Sequence, residues 1–342
     1  MSAPASTLLE QIRSLVTVDL DAMDPDIAAR LTRQTKFCDM TSNQAIVHGQ
    51  ATRPERALLL KHAVEYAKQK RTSTGPALGS VDSVQDAIDV FTVLLAKEVL
   101  PYLTGNVHAQ TSPSTAYDKN RTISHAKKLV QLFSDFGIPS SRVCIKIPAT
   151  PESLLACRDL QNDGIQTLAT CLFSVPQAVA ASQAGCVYVA PYFNELRVHF
   201  QEGLWHEYAD TKNQHPMCQT IMHIRSALRE IGSKTLVMPA SIVTVQETIA
   251  LASLSPDHLT ISGHILDLLS TLPAVESKQF DAPKLISVDF PTGNLLDNDG
   301  AELRRLLDQD LESQRKLTDA LLIFNQKEAE TKSLILNLLT DP

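Results

Sequence analysis

One lysine lies inside an apolar run and is the residue best placed to do chemistry. Lys146 stands in VCIKIPAT between Ile145 and Ile147. Because a strand alternates its two faces, Lys146 faces a barrel interior if the isoleucines face an outer helical layer. Burial of an ammonium is costly and usually lowers its pKa, and a neutral amine can form a Schiff base with a carbonyl. The same spacing is equally consistent with an interior lysine that pairs with a carboxylate such as Asp21.

Other polar residues lie inside or directly after short apolar runs. In a barrel of parallel strands, reactive groups occupy the carboxyl ends of the strands and the loops that follow. This rule gives the following candidates: Asp19, Asp21, Thr41, Ser42, Asn43, Gln110, Lys146, Thr170, Tyr192 and Ser241. His108, His199 and His264 also fall near strand ends, without the spacing of a metal triad. We interpret them as structural or substrate-lining, and we expect no metal.

The short apolar runs predict the elements that must position these residues. Each run has four to eight residues rich in aliphatic types, as in buried parallel strands. The runs are 15–20, 36–41, 105–110, 142–147, 166–173, 186–193, 234–240 and 258–262. Helical patterns between them include 122–137, 151–164 and 175–185. Eight strands with intervening helices predict an α/β fold of the (β/α)₈ barrel type. A doubly wound sheet is the competitor, but its glycine-rich phosphate loop is absent.

The rest of the chain predicts no second unit. The loop candidates 72–80, 108–118, 211–216 and 290–300 are too short to tether separate domains. Residues 300–340 predict one or two helices packed on the outside of the barrel. We therefore expect a single domain over residues 1–342.

The charge balance excludes several classes of partner. The net charge of -7 gives no electrostatic reason to bind nucleic acid or an anionic membrane. The six cysteines form no CxxC pair, the sequence has no run of 18 apolar residues, and we expect no signal peptide. We expect a reducing, cytoplasmic compartment.

At the level of motifs the chain resembles the transaldolase family over about residues 8 to 335. The strongest stretch is 116–185, which contains IKIPAT, and the earlier segments VDLDAMD and DMTSNQA follow the family's order and spacing. The resemblance implies a Schiff-base aldolase on a (β/α)₈ barrel, with no cofactor. Its partners would be small carbonyl compounds, a ketone donor and an aldehyde acceptor, and the family is often dimeric.

Five residues match the family's functional positions. The resemblance implies that Lys146 forms the imine and that Asp21 exchanges a proton with a substrate hydroxyl. It implies that Asn43 holds substrate hydroxyls, that Thr170 positions the catalytic water and that Ser241 holds the far end of the substrate. Thr41 is a further candidate for substrate binding because it ends the second run.

Two residues depart from the family's pattern at positions near the catalytic water. Gln110 stands where the family has a glutamate, and glutamine can orient a water but cannot exchange a proton with it. Tyr192 stands where the family has a phenylalanine. The fructose-6-phosphate aldolase branch of the superfamily carries this glutamine and tyrosine, and it releases both fragments rather than transferring one.

Two further departures affect phosphate binding. Glu195 and Val243 stand where the family has arginines, and a carboxylate repels a phosphate dianion. Arg197 could substitute if its loop shifted. The sequence therefore favours an aldolase for a non-phosphorylated or atypical substrate. The alternatives are a conventional transaldolase acting on sugar phosphates and a barrel that has lost catalysis.

Overall fold

Seven parallel strands form the centre of the fold in a computed structural model that describes residues 7–32, 35–72, 81–284 and 287–340. The strands are β1 Thr17–Asp21, β2 Val107–Gln110, β3 Val143–Pro148, β4 Gln166–Leu172, β5 Tyr188–Pro191, β6 Leu236–Val237 and β7 His258–Ser262. They pair as one sheet in the order β2-β3-β4-β5-β6 and as a second pair, β1-β7. Nearly all their residues are buried, which explains their continuous apolar runs.

Backbone hydrogen bonds join the two sheets into a ring of eight segments. Between β1 and β2 lies the segment 37–40, in which Met40 bridges Leu20 on one side and Val107 on the other. On the opposite side, the Asp257 N–H donates to the Val237 carbonyl at 3.1 Å. The predicted (β/α)₈ architecture is confirmed, and each of the eight predicted runs supplies one segment of the ring. The second run forms isolated bridges rather than a strand.

The described residues form fourteen α-helices. They are α1 Leu8–Arg13, α2 Pro25–Leu31, α3 Gln44–Ala51, α4 Ala57–Thr72, α5 Val81–Val99, α6 Lys119–Asp135, α7 Pro151–Asn162, α8 Val175–Gln183, α9 Thr211–Gln214, α10 Pro216–Glu230, α11 Val245–Ser253, α12 Gly263–Thr271, α13 Asp297–Gln309 and α14 Leu311–Thr340. The three helical patterns predicted from sequence become α6, α7 and α8. Helix α6 begins three residues earlier than predicted because Asp118 caps it by accepting the Arg121 N–H.

The carboxyl-terminal segment corrects one expectation. Helix α13 packs outside the barrel against α7 and α8, as predicted. Helix α14 instead contacts α3, β4 and the short 3-10 helices Pro113–Thr115 and Leu196–His199, all of which lie at or follow the carboxyl ends of strands. Its Phe324 is fully buried in the same hydrophobic cluster as Phe173 and Tyr192. The last helix therefore closes over part of the barrel mouth.

Four smaller expectations can be compared with the structure. Of the predicted loop at 72–80, residues 73–80 lie outside the described part of the chain. The loop at 211–216 contains a helix, α9. All six cysteines are free thiols. No helix among the described residues is long and apolar enough to span a bilayer.

Candidate active site

A cavity of about 200 Å³ opens at the carboxyl ends of the strands. Five of the residues predicted from sequence line it together: Asp21, Asn43, Lys146, Tyr192 and Ser241. Two further polar residues, His199 and Ser262, complete the polar lining, and the apolar wall is formed by Ala45, Ile46, Leu196, Phe200, Ala240 and Ile242. Side chains from six segments of the ring therefore converge on one space.

Lys146 points into the barrel from the middle of β3. Only 2% of its surface is exposed, and its Nζ lies 5.9 Å from the centre of the Tyr192 ring. Burial lowers the pKa of Lys146 below its ordinary value, and the charge of Asp21 only partly opposes that effect. No described carboxylate forms an ion pair with Lys146. This geometry favours the interpretation of Lys146 as a nucleophile over its interpretation as the ion-pair partner of a carboxylate.

Asp21 ends β1 and is oriented by a threonine pair. The Thr41 hydroxyl donates to Asp21 Oδ1 at 2.6 Å, and Thr41 Oγ1 lies 2.5 Å from Thr260 Oγ1 on β7. Thr41 is fully buried and does not line the cavity. Its observed contacts are with Asp21 and Thr260, so it orients the carboxylate rather than facing the cavity.

The hydroxyl of Tyr192 is held by an irregularity in β4. The register between β4 and β5 shifts between Ala169 and Leu172, and Cys171 adopts a left-handed φ of 51°. Such a bulge turns neighbouring side chains out of the regular alternation. The Thr170 hydroxyl donates to the Tyr192 hydroxyl at 3.2 Å.

The thiol and the phenol beside Lys146 both keep their protons at neutral pH. Burial raises the pKa of Cys171 to about 12, although the nearby Lys146 charge opposes the shift. Burial also raises the pKa of Tyr192 well above its ordinary value. Tyr192 can therefore donate a hydrogen bond to a bound water or substrate.

Gln110 faces a second, much smaller space. Its Nε2 donates to Gln44 Oε1 at 2.6 Å, and its Oε1 is buried without a hydrogen-bond partner in the described structure. Gln110 and Asn43 both line a cavity of about 20 Å³, which is large enough for one water. Asn43 borders both cavities. The predicted water-holding role of Gln110 stays a prediction, and this geometry supplies a place for the water.

Asn43 is fixed by its position at the start of α3. Its Oδ1 accepts the N–H groups of Ala45 and Ile46 at 2.9 and 3.0 Å, as a helix cap does. With Oδ1 engaged, the Nδ2 group is the part of Asn43 that can donate to a ligand.

Glu195 and Arg197 lie outside the residues that line the cavity. Arg197 pairs with Glu195 at 2.9 Å and with Asp319 at 3.2 Å, and Arg315 pairs with the same two carboxylates at 2.8 Å each. The network joins the loop after β5 to helix α14. Arg197 would have to leave both carboxylates to bind a phosphate, and Glu195 serves as an anchor for the last helix.

Sequence reasoning missed three residues of the site and the contact made by a fourth. Thr260, Cys171 and Ser262 belong to predicted runs, but nothing in their spacing distinguished them from other interior residues. His199 was noted only as substrate-lining, and its partner was unknown. Its Nε2 lies 2.8 Å from the hydroxyl of Ser241, whose backbone has a left-handed φ of 62°. That contact joins the loops after β5 and β6, which only the fold brings together.

Comparison with known proteins agrees with this fold. A family model described as transaldolase/fructose-6-phosphate aldolase matches residues 17–327. A protein of Gibberella intermedia named transaldolase is 31% identical over 334 residues, which cover 96% of this chain and 98% of that relative. A transaldolase of Shewanella sp. (strain W3-18-1) is 28% identical over 284 residues, 83% of this chain and 85% of the relative. The chain belongs to the transaldolase/fructose-6-phosphate aldolase family.

Proposed function

We propose that this protein is a class I aldolase that makes or breaks a carbon–carbon bond through an imine on Lys146, with a non-phosphorylated or atypical substrate. The observation that carries the proposal is a buried lysine of lowered pKa in a cavity that it shares with Asp21 and Tyr192. A neutral amine in such a cavity is the nucleophile that imine formation requires.

The proposed cycle uses the groups that meet in the cavity. The Lys146 amine adds to a ketone carbonyl, and the resulting carbinolamine loses water to give an imine. In cleavage, the Asp21 carboxylate takes the proton of the substrate hydroxyl as the adjacent carbon–carbon bond breaks. The electron pair of that bond becomes an enamine, and an aldehyde leaves. The enamine is then protonated, or it attacks a second aldehyde, and water hydrolyses the imine to restore Lys146.

Tyr192 and Thr170 would position the water that enters and leaves this cycle. The hydroxyls of the two residues are hydrogen-bonded to each other, and Tyr192 lies over the lysine. Gln110 would hold the water from the neighbouring small cavity, and Asn43 borders both spaces. We propose these residues as a water-positioning group rather than as proton carriers.

The charges around the cavity support the substrate class. Among the described residues that line it, Lys146 and His199 are the only ones able to carry positive charge. Arg197 and Arg315 are each paired with Glu195 and Asp319. Arginine forks are the usual means of holding a phosphate. A sugar phosphate would therefore find no free arginine along the described wall of the cavity.

The second candidate function is transfer of a dihydroxyacetone unit between sugar phosphates. The relatives from Gibberella intermedia and Shewanella carry the name transaldolase, and this favours it. It requires Arg197 or Arg315 to exchange a carboxylate for a phosphate.

A paired synthesis assay separates the two functions. Dihydroxyacetone is offered with D-glyceraldehyde or with its 3-phosphate, and the ketose formed is quantified. In parallel, transfer from fructose 6-phosphate to erythrose 4-phosphate is followed. We expect synthesis from the unphosphorylated aldehyde and no synthesis by Lys146→Arg. Transfer between the sugar phosphates at a rate above that synthesis would contradict our substrate assignment, and activity in Lys146→Arg would contradict the mechanism.

A further inference from the structure

The loops after β5 and β6 meet at a hydrogen-bonded pair that the proposed chemistry does not use. His199 ends the 3-10 helix Leu196–His199, and its Nε2 lies 2.8 Å from Ser241 Oγ. Both residues line the main cavity, and His199 is accessible to solvent. Around the ring, β3 and β6 are three strands apart. The pair therefore stands across the barrel mouth from Lys146.

The chemistry of this pair suits a neutral hydroxyl group. A neutral imidazole has one donor and one acceptor, and a serine hydroxyl also donates and accepts. Crowding at the mouth lowers the pKa of His199 by desolvation, while the charge of Asp21 opposes that effect, so the neutral form is favoured. Together the two groups can accept from and donate to one ligand hydroxyl. A phosphate dianion can only accept, and it is held best by cations.

A backbone N–H close to Ser241, that of Val243, is already hydrogen-bonded to a carboxyl group. Glu247 is 2% exposed and accepts the Val243 N–H at 2.8 Å. It also accepts N–H groups from the side chains of Asn194, at 2.9 Å, and Trp205, at 2.8 Å. The loop therefore offers an anion neither an arginine at position 243 nor the free N–H of that residue. A carboxyl group behind the loop further disfavours a second anion.

The walls next to the pair are apolar. Ile242 and Leu196 are buried, Ile46 is half-buried, and Phe200 exposes 44% of its surface at the mouth. The cavity of about 200 Å³ is only slightly larger than the roughly 150 Å³ that holds a benzene ring. Such a space can enclose a short acceptor, whereas a longer phosphorylated sugar would extend beyond its mouth.

We infer that His199 and Ser241 form the acceptor subsite, and that this subsite binds a hydroxyl of a short, uncharged hydroxyaldehyde. The inference rests on the proposed function, because the ligand is an acceptor only if the protein catalyses the proposed aldolase reaction. It goes further by naming the residues that recognise the acceptor and the group that they recognise.

Binding of reduced analogues tests the subsite without any catalysis. Erythritol, erythritol 4-phosphate and 1-butanol cannot form an imine, and they differ only in hydroxyl groups and charge. Ligand-observed NMR titrations give Kd for wild type, for His199→Phe and for His62→Phe, the same exchange at an exposed site on α4. Thermal melts show that each variant folds.

We expect wild type to bind erythritol more tightly than erythritol 4-phosphate. His199→Phe should raise Kd for erythritol about three- to tenfold, the effect of one neutral hydrogen bond, and leave 1-butanol unaffected. His62→Phe should match wild type. Tighter binding of erythritol 4-phosphate, no measurable binding of erythritol, or an unchanged Kd in folded His199→Phe overturns the inference. Borohydride trapping with dihydroxyacetone, run on the same samples, reports separately on Lys146 and the proposed function.

Discussion

At the scale of single residues, burial rather than ion pairing defines the environment of Lys146. Lys146 could be interpreted from sequence either as a nucleophile or as the partner of a carboxylate. The structure directs Asp21 toward Thr41 and leaves Lys146 beside a tyrosine ring. The residues on regular strands were predictable because alternation and strand ends determine where they point. The His199–Ser241 contact was not, since it depends on two loops that are 42 residues apart.

The lowered pKa of Lys146 predicts how imine formation depends on pH. Above the folded-state pKa the amine is neutral and reactive, and as the pH falls through that pKa it is protonated and the rate declines. We expect the trapping rate with dihydroxyacetone to reach its plateau below pH 10.5, the ordinary lysine value. Stopped-flow or quenched trapping across pH 6 to 11 measures it. A rate that keeps rising up to about pH 10.5 would show an ordinary lysine.

Removal of the Tyr192 hydroxyl should slow the water-dependent steps. Tyr192→Phe keeps the ring over Lys146 but deletes the group bonded to Thr170. If that group positions the water, imine formation and hydrolysis should slow by about tenfold to a hundredfold, the effect of a mispositioned reacting group. Single-turnover kinetics measure both steps. Tyr208→Phe is the matched control on the loop after β5, and equal rates in Tyr192→Phe and wild type would remove Tyr192 from the water-positioning group.

At the scale of elements, β4 and α14 contribute most to the shape of the site. The β4 irregularity places Thr170 against Tyr192, and a bulge of this kind has no reliable sequence signal. Helix α14 was expected to lie wholly outside the barrel because its alternation of polar and apolar residues reveals only that one face is buried. Which surface it covers depends on distant partners, such as the pairing of Arg315 with Glu195.

Because α14 packs on the barrel mouth, truncation of one buried side chain on this helix should have a large effect on the free energy of unfolding. Phe324 is fully buried, so Phe324→Ala should lower the free energy of unfolding by about 3 to 5 kcal/mol. Leu322→Ala on the same helix removes a side chain that is 61% exposed and should change it by less than about 0.5 kcal/mol. Urea denaturation compares the two. Similar losses in both variants would mean that α14 does not pack as described.

At the scale of the whole molecule, the barrel is closed by polar side chains as well as by backbone pairing. Asp39 lies in the segment 37–40 and accepts the Asn106 N–H at 2.7 Å, while His108 Nε2 lies 2.7 Å from its other oxygen. Asp19 accepts the Asp39 N–H at 2.9 Å and contacts His258 at 2.8 Å. The sequence predicted the eight runs but not this network, because buried polar contacts between distant residues leave no periodic pattern. The prediction of a single domain over 1–342 stays a prediction, as does a homodimer.

This closure predicts how stability responds to acid. Burial alone would raise the pKa of Asp39, but His108 and the Asn106 N–H lower it below its ordinary value of 3.8. A lowered folded-state pKa gives stability that is present above 3.8 and is lost as the pH falls toward the folded value. Asp39→Asn should therefore be less stable than wild type at pH 7 and lose less on acidification to about pH 3. Denaturation at the two pH values measures this, with the exposed Asp26→Asn as control. Equal acid sensitivity in Asp39→Asn and wild type would contradict the role of Asp39.

Location of a trapped adduct tests the central claim most directly. The protein is incubated with dihydroxyacetone and borohydride, digested, and mapped by mass spectrometry, beside Lys146→Arg and a sample without ketone. We predict one reduced adduct on the peptide that contains Lys146, and none in Lys146→Arg. A folded wild-type protein that traps nothing across a range of ketones, or an adduct at another lysine that persists in Lys146→Arg, would contradict the assignment of Lys146 as the imine-forming residue.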